Sequence, residues 1–132
     1  MHHHKTLFGL FGMAILALLV AACNGGSSTS VNNITVVNLE ANDSGCTPKN
    51  IETQQGFLMK LSFKNSGAQA ATFNMPDVPF TLTAPPGQTV LGNFTAPTAT
   101  GKYDFTCGPA DKLTHGEPAD KLTHGELQVK NN

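Results

Sequence analysis

The chain has 132 residues, enough for one domain, and a formal net charge of −1, so there is no electrostatic case for nucleic acid. All eight basic residues are lysine, which argues against a phosphate site built on arginine. Charged residues make up 13% of the chain while glycine, proline, threonine and asparagine are plentiful, a mix suited to short strands joined by turns.

Leu7–Ala22 is almost wholly apolar and follows a weakly positive start of Lys5 and His2–His4. It is shorter than the roughly 20 residues a spanning helix needs and suits the apolar region of a secretory signal. Its end, Leu19-Val20-Ala21-Ala22-Cys23, resembles the bacterial lipoprotein signal, with small residues before a cysteine. The resemblance implies removal of residues 1–22 and lipid on the sulfur and amine of Cys23. The membrane is then one partner, and the chain belongs to the bacterial cell envelope, facing the periplasm or the surface. Asn24–Ser30 reads as a flexible polar linker, so that residues 23–30 join the anchor to a domain over 31–130.

Ile34–Leu39 is β-branched and predicts the first strand of that domain, with a polar turn over Glu40–Gly45. Cys46–Thr53 is extended, with Pro48 at an edge or entry position. After Gln55-Gly56, the residues Phe57, Met59, Leu61 and Phe63 alternate with Leu58, Lys60, Ser62 and Lys64, the cleanest strand pattern in the chain. Shorter strands are predicted at Ala70–Met75, around Val78, Phe80 and Leu82, and at Thr89–Thr95, separated by Asn65-Ser66-Gly67, Pro76 and Ala84–Gln88. Tyr103, Phe105 and Cys107 alternate with Lys102, Asp104 and Thr106, and Glu126–Val129 closes the domain. No segment carries a helical stripe. Seven or eight short strands with this spacing of turns predict an all-β sandwich.

Between the last two strands, Pro109–Glu117 recurs without change as Pro118–Glu126. One repeat of one unit is no solenoid, which needs three or more. It points to a slipped duplication in a surface loop, where insertion costs little entropy. A sharper alternative is that His115 and His124 jointly hold a metal.

The order Cys46-x-Pro48, Gly56 and an alternating strand to Asn65-x-Gly67, Ala84-Pro85-x-Gly87, Gly101-x-Tyr103-Asp104-Phe105-Thr106-Cys107-Gly108 and Gly125-x-Leu127-x-Val129 resembles the cupredoxin-like domain family. It resembles in particular the small N-terminal domain of the bacterial iron-uptake protein EfeO. The resemblance implies a Greek-key sandwich and a part in binding or taking up copper or iron. Cys46 and Cys107 stand at cysteine positions of that domain. With Cys23 given to lipid, they form an even pair in an oxidising compartment and are expected to make a disulfide. The competing use is a copper or zinc site of Cys46, Cys107 and His115 or His124. A blue-copper centre needs two histidines, a thiolate and usually an axial methionine. Ala70–Asn74 has no histidine, and no methionine follows Met75. The acidic positions of the EfeO-like domain hold Thr72 and Asn74 here. No serine sits in a nucleophile elbow, so no enzyme is expected. Three readings stand: a metal-binding or delivery module, a metal-free stapled domain for an envelope protein partner, and a blue-copper electron carrier.

Overall fold

The computed structural model describes residues 28–111 and 122–132. Ten strands lie among them: β1 (Ser28–Val31), β2 (Ile34–Asn42), β3 (Gly45–Thr47), β4 (Asn50–Gln54), β5 (Leu58–Asn65), β6 (Ala71–Met75), β7 (Phe80–Ala84), β8 (Thr89–Thr95), β9 (Gly101–Pro109) and β10 (Thr123–Lys130). They form two sheets, one in the order β1-β2-β5-β8 with β3 also on β2, the other in the order β4-β10-β9-β6-β7.

Period two decides which side of each strand is covered. In β2 the buried residues are Thr35, Val37, Leu39 and Ala41, and in β5 they are Met59, Leu61, Phe63 and Asn65. A strand with one apolar face has to lay it against a second sheet. The chain does this by changing sheets. It leaves β2, makes β4 in the opposite sheet, and returns to β5, which is why β2 and β5 lie parallel, as do β4 and β10. All other neighbouring strands run antiparallel. The result is the predicted all-β, Greek-key sandwich.

Two strands go beyond the eight read from sequence. β1 lies at the end of the stretch read as linker and pairs with β2 through a two-residue turn. Asn32 and Asn33 both have positive φ there, 52° and 62°, which asparagine tolerates and a tight hairpin requires. The polar Ser-Thr-Ser run carries no strand signal of its own; pairing with β2 supplies it. The segment Cys46–Thr53, read as one extended piece, is two strands in different sheets. Pro48 sits between them, where its missing N–H interrupts a ladder at no cost.

The core centres on Phe63, Phe73 and Phe105, with the rings of Phe73 and Phe105 4.9 Å apart. Buried polar groups are paired across it. The hydroxyls of Thr35 and Thr53 meet at 2.7 Å between the sheets. Asn65, 1% exposed, donates from Nδ2 to the carbonyls of Gln69 (2.7 Å) and Ala84 (2.9 Å) and accepts from the Gly67 N–H (2.9 Å). Gly125 faces Phe105 in the β9–β10 register, and a Cβ there would overlap the Phe105 ring and the Lys49 carbonyl.

Two substitutions test this packing by denaturant unfolding. Asn65→Ala strands three backbone groups and is expected to cost about 1–3 kcal/mol. Gly125→Ala overpacks the core and is expected to cost about 1–3 kcal/mol.

Candidate functional site

Cys107 lies near the end of β9, two residues after Phe105 and on the same inward face. Cys46 is the central, inward residue of the three-residue β3. Each is almost fully buried, at 0% and 2% exposure. β3 belongs to one sheet and β9 to the other, so their side chains meet across the sandwich. Their sulfurs are bonded, with Cα atoms 6.0 Å apart and a sequence separation of 61.

Thr123 completes the arrangement. It stands opposite Cys107 in the β9–β10 register, and its Oγ1 accepts from the backbone N–H of Cys46 at 2.9 Å. Gly45 lies against the same oxygen: a Cβ at its φ of +144° would overlap Thr123 Oγ1. A glycine is therefore needed beside Cys46 for both backbone and space. One β10 hydroxyl thus holds β3 in place for the sulfur bond.

His124 is the next residue along β10 and is exposed. Successive strand residues point to opposite faces, so His124 stands on the outer side of the sheet, away from the disulfide. The sequence pattern places it in a loop. It is instead paired with Thr106, because β10 begins at Thr123 rather than Glu126 and draws the end of the second repeat copy into the sheet. The expected ligand group of Cys46, Cys107 and His124 is accordingly not assembled. Both sulfurs are in a covalent bond, and the imidazole is on the far side of the strand. His115 and Cys23 lie outside the described residues, as do the signal segment and 112–121 of the repeat. Among the described residues, no three His, Cys, Asp or Glu side chains are placed to hold a metal.

The positions compared with metal-binding acids are also engaged. Thr72 and Thr83 share a hydroxyl hydrogen bond of 2.9 Å, and Asn74 Oδ1 accepts from Thr81 Oγ1 at 2.8 Å. Thr81, Asn74, Thr106 and His124 follow one another in register across four strands of the outer face. The buried Oγ1 of Thr106 has no partner among the described residues. Strand order alone brings that row together, and no pattern in the sequence signals it. On the other sheet, the outer face carries Leu91, 77% exposed, and Val36, 41% exposed, beside Lys60 and Ser62.

A type 1 copper centre does not fit these residues. Its thiolate would be Cys107, which is bonded to Cys46, and β6 supplies threonine and asparagine where an imidazole is needed. The chemistry of the pair is that of a buried crosslink. For a loop of this length, the chain-entropy estimate gives about 4 kcal/mol of stabilisation. Replacing both cysteines by alanine is expected to lower stability by about 2–4 kcal/mol. Thr123→Val, which orphans the Cys46 N–H, should cost about 1–3 kcal/mol. Unfolding curves with and without reductant check both, since reductant should bring the parent protein close to the double variant.

Residues 12–117 match the family model described as a cupredoxin-like domain. No curated protein matches the chain. Among solved structures, a copper binding protein in its apo form shares 19% identity at a TM-score of 0.57, covering 78% of this chain and 94% of its own. The metal binding domain of the Streptococcus pneumoniae Cu(I) exporting P-type ATPase CopA, solved with Cu(I), shares 16% at a TM-score of 0.59, covering 79% and 93%. Dithionite-reduced auracyanin from Roseiflexus castenholzii shares 19% at 0.55, covering 72% and 96%. At such identities these likenesses speak for the fold, while the family match extends over most of the sequence: the chain belongs to the cupredoxin-like domain family.

Proposed function

We propose that this is an exported protein of the bacterial envelope, held to the membrane by lipid on Cys23, in which the cupredoxin-like domain serves as a metal-free, non-catalytic interaction module. The Cys46–Cys107 disulfide carries the reading. It takes up both thiols that the fold would offer a soft metal and turns them into a staple between the sheets. Structural disulfides persist outside the reducing cytoplasm, which agrees with the apolar leader ending at Ala22-Cys23. Leu91 and Val36 supply the exposed apolar surface on which an envelope partner would dock. Iron uptake, the role of the EfeO likeness, would draw on acidic residues at positions that hold Thr72 and Asn74 here, which carry no carboxylate and whose side-chain oxygens are hydrogen-bonded to Thr83 and Thr81.

A copper-related role is the second reading. Two observations favour it: the order of Cys107 and a following loop with His115, and the copper named for the structural relatives. In reduced protein, Cys46 and Cys107 would be two thiols of the soft type that Cu(I) selects.

Two experiments decide between these. When the full chain is expressed in a bacterium, it should fractionate with membranes, and Cys23→Ser should release it; release of neither or both forms would sink the lipid anchor. Titration of the purified domain should find no free thiol and no Cu(I) uptake without reductant. One tightly bound Cu(I) after reduction, lost in Cys46→Ser, would favour copper handling instead.

A further inference from the structure

Asparagine, any residue but proline, then serine or threonine is the acceptor pattern of N-linked glycosylation. It occurs at Asn33-Ile34-Thr35, Asn42-Asp43-Ser44 and Asn93-Phe94-Thr95. The fold separates the three. Thr35 is fully buried with its hydroxyl bonded to Thr53, so no transferase can read it. Asn93 is exposed but lies in the middle of β8, paired with Lys60 of β5, and Gly92 before it and Phe94 after it are paired with β5 as well.

Asn42, the last residue of β2 and paired with Gly45, is exposed, as are Asp43 and Ser44 in the two-residue turn that follows. The Ser44 N–H donates to Asn42 Oδ1 at 2.8 Å, which holds the carboxamide by its oxygen. Among the described residues nothing accepts a hydrogen bond from its Nδ2. The turn is steadied from outside the motif, since Asp43 Oδ1 accepts from the Ala68 N–H at 3.0 Å. Glu40, two residues earlier on the same exposed face, is held away from the motif, its Oε1 accepting from Ser66 Oγ at 2.8 Å and lying 3.8 Å from Lys64 Nζ.

We propose that Asn42 is an N-glycosylation acceptor whose donor is an oligosaccharide joined to a lipid carrier through a diphosphate. Asn42 Nδ2 forms a bond to the anomeric carbon of the sugar. The bond from that carbon to the diphosphate oxygen breaks, and the lipid diphosphate leaves with the electron pair. One amide proton passes to a base of the transferase, and nothing is oxidised or reduced. The inference rests on the envelope reading, because such transferases act on the exported side of the membrane.

The test uses the purified, disulfide-bonded full chain, a bacterial oligosaccharyltransferase, and its lipid-diphosphate-linked oligosaccharide, followed by peptide mass spectrometry. The glycan mass is expected on the peptide holding Asn42 and on neither of the other two. Asn42→Gln and Ser44→Ala should lose it, and Ser44→Thr should keep it. An unmodified Asn42 in the folded chain, while a free peptide of residues 38–46 is modified in the same reaction, would overturn the proposal. So would a glycan at Asn93. The protein is supplied already purified, so a negative result counts against the acceptor and not against export, which the Cys23→Ser fractionation addresses.

Discussion

The bond between Cys46 and Cys107 is the constraint on which the rest of the molecule depends. It joins the shortest strand of one sheet to a central strand of the other and lies within the core rather than at its margin. β3 has only three residues and pairs with one neighbour, β2. Such a strand has little to hold it by hydrogen bonding alone. The covalent link, the Thr123 hydroxyl on its backbone and the glycine before it together fix β3 against the second sheet.

The topology explains why a crosslink helps here. Both parallel pairings join strands separated by a passage through the opposite sheet, so most contacts are remote in sequence. Ordering such a chain requires loop closure before the contacts that reward it exist. The domain is also modest in size, and its core rests on three fully buried phenylalanines with aliphatic, methionine and further aromatic side chains packed around them. A bond that restricts the unfolded chain contributes most in that situation.

Much of the fold was legible because alternation survives burial. Met59, Leu61 and Phe63, then Phe105 and Cys107, declare their inward faces in the sequence, and the structure buries those residues. β1 was not legible, because its residues are polar and the strand exists only through its partner. The split of Cys46–Thr53 was hinted at by Pro48, but which sheet each half joins is a tertiary matter. At the candidate site, the two cysteines could be picked out one by one. The face of His124 could not, since one residue of register decides it, and β10 starting at Thr123 settled that. Thr123 itself gave no signal, as its role comes from lying opposite Cys107.

The start of β10 has a consequence for how this gene can change. The residues that meet β9 first, Thr123-His124-Gly125-Glu126, are spelled identically at Thr114-His115-Gly116-Glu117. Excision of either nonapeptide would leave the same letters joined to Leu127, so the hydroxyl beneath Cys46 and the gap beneath Phe105 would both persist. A change of one whole unit therefore keeps the residue identities where β10 begins. Length polymorphism among sister alleles is the expected trace, confined to that junction.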